Sequence, residues 1–122
     1  MAYEIHITRN APLLEDGPGI TLEEWIAAVM MEADSVRLAD GDYLVTLPET
    51  GQVFRFHNTG GDTEVFFADG AWRRVFRWHE GRVSFVSPRD FDDAGSHIRS
   101  VARALAIALR AYLVGDEGEI YR

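Results

Sequence analysis

The stretch SPRDFDDAGSHIRSVARALAIALRAYLVG, residues 87–115, is the clearest element of the chain. Ile98, Val101, Ala102, Leu105, Ala108, Leu109 and Tyr112 recur at spacings of three and four, which is the pattern of a helix with one apolar face. Arg99, Arg103 and Arg110 fall off the centre of that stripe. Asp90, Asp92 and Asp93 stand before or within the expected first turn, where carboxylates suit the helix dipole, and Gly115 is placed to stop it. The spacing predicts a helix over about 91–113. Asp116, Glu117 and Glu119 follow directly, three acids where the dipole favours a base. Residues 119–122, EIYR, then offer a short final strand.

Upstream, YEIHITR at 3–9 alternates, with Tyr3, Ile5 and Ile7 on one face and Glu4, His6 and Thr8 on the other, the mark of a strand with one buried face. The Pro- and Gly-containing run at 10–19 reads as a loop. Thr21 followed by Glu24 has the form of a capping box, and Ile20 and Trp25 are spaced for a hydrophobic staple. A helix over about 21–33 follows, its apolar face formed by Leu22, Trp25, Ile26, Val29 and Met30. Between the two helices, YLVTL, VFRFH, EVFF, VFRWH and RVSFV are separated by Asp-Gly, Thr-Gly, Gly-Gly, Asp-Gly and Glu-Gly breaks, the punctuation of antiparallel hairpins. VFRFH at 53–57 and VFRWH at 75–79 share a pattern too short to mark a duplication. The expected fold is α+β, one domain over residues 1–122, with an antiparallel sheet of about five to seven strands and both helices packed on one face.

Composition narrows the function classes. The chain has 122 residues, 47% of them hydrophobic and 26% charged, enough for one core and unlike a disordered segment. It has no cysteine, which excludes disulfides and thiolate zinc sites. No basic region precedes an apolar run at the N-terminus and no apolar stretch approaches the roughly 18 residues of a membrane span, so the expected compartment is the cytoplasm. Net charge is −8. Residues 1–50 hold ten acids and two arginines, residues 51–89 four acids and six arginines, and residues 90–122 six acids and four arginines. Acidic ends disfavour nucleic acid and anionic membranes and favour a basic protein partner.

Motifs for chemistry are sparse. Asp116, Glu117 and Glu119 lack the framework of a calcium loop, and His6, His57, His79 and His97 lack zinc-ligand spacing, so neither metal nor cofactor is expected. No nucleophile elbow surrounds Ser84, Ser87, Ser96 or Ser100, and no phosphate cradle is present. The best catalytic candidates are His57 and His79 beside Arg55 and Arg77, a general acid or base next to cations for an anionic substrate. That alternative, a small enzyme or anion-binding domain, requires the four to share a pocket.

YEIHITR at the start, ITLEEW at the first helix and GDEGEIY at the end together resemble a group of small bacterial proteins of about this length. The group is similar in size, acidity and lack of a signal to immunity proteins of bacterial toxin systems, including contact-dependent growth inhibition. The resemblance implies a non-enzymatic cytoplasmic protein that neutralises a cognate toxin domain. With the acidic balance, the expected partner is basic, a nuclease built to hold phosphate being the natural example. The candidate contact residues are Glu15, Asp16, Asp40, Asp42, Asp116, Glu117 and Glu119, with Trp72 and Tyr121 as aromatic anchors.

Overall fold

The computed structural model describes residues 3–10, 17–93 and 95–121. In chain order the elements are β1 (Glu4–Thr8), α1 (Leu22–Met31), β2 (Val36–Leu38), β3 (Tyr43–Thr46), β4 (Val53–Phe56), β5 (Thr63–Phe66), β6 (Trp72–Arg74), β7 (Arg77–His79), β8 (Arg82–Val86), α2 (His97–Leu109), β9 (Tyr112–Gly115) and β10 (Ile120–Tyr121). The fold is α+β and the strand pairings are antiparallel, distributed over three sheets. These are a five-stranded sheet ordered β10-β9-β1-β8-β7, a three-stranded sheet β2-β5-β6, and the hairpin β3-β4.

The strand nearest the N-terminus lies at the centre of the large sheet. Ile5 and Ile7 pair with Phe85 and Val83 on one side and with Gly115 and Leu113 on the other. Their face packs against both helices in a core that includes Trp25, Val29, Phe76, Ala102, Leu105 and Leu109. The expectation that Glu4, His6 and Thr8 face water holds only for Glu4; His6 and Thr8 are 4% and 2% exposed.

Helix α1 begins as expected. Thr21 accepts from the Glu24 N–H and Glu24 accepts from the Thr21 N–H, a complete capping box, and Ile20 and Trp25 are both buried. Met30 departs from the expectation, at 70% exposure. Trp25, Ala28 and Val29 centre the buried face, and Met30 lies about 140° around the helix from Trp25. The Trp25 Nε1–H donates to the Gly61 carbonyl at 2.8 Å. A Cβ on Gly61 would lie 2.5 Å from the Cβ of Trp78, so only glycine lets the two tryptophans close around that backbone.

Helix α2 is shorter at both ends than the spacing predicts. Ser96, accepting from the Arg99 N–H, is its N-cap, and no acid lies in its first turn. Asp90, Asp92 and Asp93 fall in the turns before it. At the other end Arg110 adopts a left-handed conformation, φ 53°, and the Ala111 N–H donates back to the Ala106 carbonyl at 2.9 Å, as in a Schellman stop. Gly115 is therefore not the helix stop. Tyr112–Gly115 continues the helical spacing by coincidence but pairs with β1, and sheet pairing overrides local periodicity. The two VFR segments are also unlike each other: Phe54 and Phe56 are exposed in β4, whereas Phe76 is fully buried ahead of β7.

Candidate functional site

The turn after β9 explains the acids that looked misplaced. Asp116 follows a strand, not a helix, and its carboxylate reaches back to β1. One oxygen accepts from the Glu4 N–H at 2.8 Å and the other lies 2.8 Å from His6 Nε2. The Glu4 hydrogen bond, then His6, hold the Asp116 carboxyl below its ordinary range. The ionised Asp116 accepts from the His6 Nε2–H, and the Ser84 hydroxyl lies 2.7 Å from Nδ1 on the other side of the ring. Glu119 accepts from the Tyr3 hydroxyl, which in turn accepts from the Glu117 N–H at 3.3 Å. Burial and the Glu119 bond push the Tyr3 hydroxyl up to about 12. The Glu117 side chain stays exposed, and Tyr121 packs edge-on against Phe91 at 5.0 Å.

A second clip lies at the opposite end of β1. Arg9 forms a two-pronged pair with Glu24 at 3.0 and 2.6 Å and donates to the Leu109 carbonyl at 3.1 and 3.0 Å. It supplies the cation that the last turn of α2 lacks. Arg9 lowers the Glu24 carboxyl to about 2, with help from the Thr21 N–H. Residues 3–9 are thus bonded both to 20–25 and to 115–121.

Ser84, His6 and Asp116 have the order of an acyl-transfer nucleophile, a constellation with no signature in the sequence. Its setting differs from that of a catalytic triad. Ser84 lies mid-strand between β1 and β7, paired on both sides. The ring also uses its two nitrogens the other way round from serine proteases. The arrangement satisfies a buried histidine and joins three strands.

The same outer face of the sheet carries two cavities. One, of about 510 Å³, is largely apolar, with Tyr43, Val45, Phe56, Phe67, Val86 and Pro88 among its walls and Glu4, Asp62, Arg74, Arg77 and Ser84 along one side. The other, of about 340 Å³, is lined by Glu4, His6, Arg77, His79, Arg82 and Ser84. Between them Asp62, with a side chain 2% exposed, lies 3.2 Å from Arg74 and 3.4 Å from Arg77. Arg74 also donates to the Asp40 and Gly41 carbonyls at 2.6 and 2.9 Å, fastening the foot of the β3–β4 hairpin.

Among the described residues that hairpin pairs with no other strand. Tyr43 and Phe56 face each other across it, as do Val45 and Phe54, on the side that closes the apolar cavity. Leu44 and Val53, each 55% exposed, lie on the opposite side, and Phe54 is 42% exposed.

The contact residues expected from sequence are distributed as follows. Asp40 and Asp42 stand at the foot of the hairpin. Asp42 accepts from the Asn58 N–H at 2.9 Å, which holds its carboxyl low, and lies 3.6 Å from Arg55 and 3.3 Å from His57. Trp72 is half-buried on β6, stacked under the Arg37 guanidinium at 4.1 Å. Asp116, Glu117, Glu119 and Tyr121 cluster around β9 and β10, and Glu15 and Asp16 lie outside the described residues. Neither of the two cavities brings His57 and His79 together: His79 and Arg77 line the polar one with His6, while His57 and Arg55 lie beside Asp42. Sequence reasoning missed His6, Asp62, Ser84 and Arg82, which only the register of β1, β7 and β8 brings together. Among the described residues no three metal-ligating side chains converge, and no helix is long and apolar enough to cross a membrane. Comparison with protein-family models, with curated proteins and with solved structures finds no match.

Proposed function

We propose that this chain is a non-enzymatic binding protein of the immunity type, acting in the cytoplasm, that occupies and neutralises a cognate basic toxin domain. The observation that carries this reading is the β3–β4 hairpin. An isolated two-stranded ribbon is marginal in water, yet this one presents Leu44 and Val53 to solvent on one side, and exposed apolar surface favours burial against another protein. Its strand edges have no partner strand among the described residues and offer backbone hydrogen bonds to an incoming segment. Around this apolar centre Asp40 and Asp42 form an acidic rim, and the net charge of −8 draws in a cationic partner and speeds encounter. Glu117 and Trp72 extend the candidate surface. The family resemblance of the β1, α1 and β9–β10 stretches supports the same class.

The test is rescue of growth. Cells expressing a cognate toxin domain recover when the wild-type chain is co-expressed. The L44S/V53S double variant melts within a few degrees of wild type because both side chains are exposed, but it loses rescue and binds the purified toxin domain at least about 100-fold more weakly. Unchanged affinity in that variant overturns the hairpin as the docking centre.

A further inference from the structure

We propose that the cavity under the β3–β4 hairpin binds a small neutral carboxamide, its hydrocarbon body in the apolar chamber and its amide at the rim beside Arg77 and Glu4. At about 510 Å³ the chamber has the size of a small-ligand site, which is commonly apolar with a few placed polar groups. Tyr43 and Phe56 line it from the hairpin, Val86 from β8 and Phe67 from just beyond β5. A hydrocarbon seated among these walls removes its own apolar surface and theirs from water.

The charges at the rim select an uncharged ligand. Those lining the chamber are two arginines, Arg74 and Arg77, and two carboxylates, Asp62 and Glu4. The set carries no net charge, so an ion of either sign would shed its hydration there without a counter-charge. In the adjoining polar cavity Arg82 is offset by Asp116, which acts on it at longer range, and His79 by the Glu80 carboxylate 3.6 Å away; no excess of cations lies beyond the rim. Arg74 and Asp62 are already committed. Arg74 lies 3.2 Å from one Asp62 oxygen and donates to the Asp40 and Gly41 carbonyls, and the other Asp62 oxygen lies 3.4 Å from Arg77 Nε.

One donor and one acceptor remain. Among the described residues Arg77 makes no hydrogen bond beyond that from its Nε, which leaves its terminal N–H groups to donate, and its guanidinium lies 5.6 Å from the centre of the Phe56 ring. Glu4 bonds Asp116 through its backbone, while its exposed carboxylate has no hydrogen-bonding or ion-pairing partner among the described residues. Arg77 and Glu4 share the wall between the two cavities without pairing with each other, so a group that serves both needs its acceptor and its donor on separate atoms. An uncharged amide has that form, its carbonyl accepting from Arg77 and its N–H donating to Glu4. A carboxylate brings only acceptors to Glu4, and an ammonium only donors to Arg77.

The chamber lies on the hairpin's inward side and Leu44 and Val53 on the other, so amide binding and growth rescue hold or fail separately. The probes are hexanamide, octanamide, octanol, octanoate and octylammonium, titrated by calorimetry against the whole chain, with backbone NMR shifts to locate the site. Octanamide binds one to one, about tenfold or more tighter than octanoate or octylammonium and about fivefold tighter than octanol, with shifts centred on β8 and the hairpin. Hexanamide binds about tenfold more weakly than octanamide, because two fewer methylenes are buried. E4Q leaves the rim with one net positive charge and narrows the preference for octanamide over octanoate by about fivefold. V86W fills the chamber and abolishes octanamide binding; Val86 is 57% exposed, and an unchanged melting temperature reports an intact fold. Arg77 is left alone because it also holds Asp62. Equal binding of octanol and octanamide, as expected of a recess for a partner's apolar side chain, overturns the proposal. So does an ion that binds as tightly as octanamide, a preference unmoved by E4Q, persistence of binding in V86W, indifference to chain length, or the absence of saturable binding.

Discussion

His6 would be left in water by a strand with one wet face, yet it is 4% exposed and is buried because Asp116 and Ser84 occupy both ring nitrogens. A buried imidazole without partners is costly, so the value of Asp116 is measured by its removal. D116A leaves the His6 Nε2–H and the Glu4 N–H without an acceptor and lowers unfolding free energy by about 1–3 kcal/mol in urea titrations. Glu24 gives a pH prediction. Its folded value is depressed from 4.5 to about 2, so the folded state prefers the ionised form. Its contribution is complete above 4.5 and is lost as pH falls toward about 2. E24Q therefore flattens the acid limb of the stability profile across that window, while wild type loses stability throughout it. A slope unchanged by E24Q removes the Arg9–Glu24 clip from the acid response. These residues also mark what the sequence discloses. The Thr21–Glu24 box is local and reads directly from spacing, whereas His6 and Asp116 lie 110 positions apart and no spacing rule joins them.

Elements were legible where one period dominates. The strand at 4–8, the start of α1, the core of α2 and the hairpins at Gly-containing turns all follow from alternation, capping and turn residues. The end of α2 was not, because Tyr112 and Leu113 continue the helical stripe while β1 needs a neighbour, and the pairing is invisible locally. Strand β6 escaped for a similar reason, since its three residues, WRR, carry no alternation. The β7–β8 turn shows a rule obeyed imperfectly. Glu80 and Gly81 both have positive φ, 47° and 86°, as the two-residue hairpin turn of this kind demands, and its first position prefers Asn or Asp. E80N stabilises the protein by about 0.5–1 kcal/mol in thermal or urea unfolding. A neutral or destabilising outcome would mean that the Glu80 side chain contributes more than its backbone strain costs.

At the scale of the molecule, charge and shape divide the labour. The acidic ends give the surface its sign, while the arginine-rich middle, residues 51–89, folds inward at Asp62 and over the outer face of the large sheet. Composition revealed the first of these and could not reveal the second, because the positions of Arg74, Arg77 and Arg82 depend on which strands are neighbours. Association with the proposed basic partner slows by about tenfold or more in stopped-flow mixing when salt rises from about 50 to about 500 mM, while dissociation changes little. An association rate indifferent to salt would assign the encounter to the apolar hairpin alone.

The central place of β1 between β8 and β9 bears on how the protein is made. A ribosome releases residues 4–8 well before their neighbours at 82–86 and 112–115. The innermost strand must wait for both neighbours, its isoleucines meanwhile exposed to chaperones, and the sheet closes at a pace set by long-range pairing. Nascent chains stalled at residue 111 therefore remain protease-sensitive, and ones extended past Tyr121 become resistant.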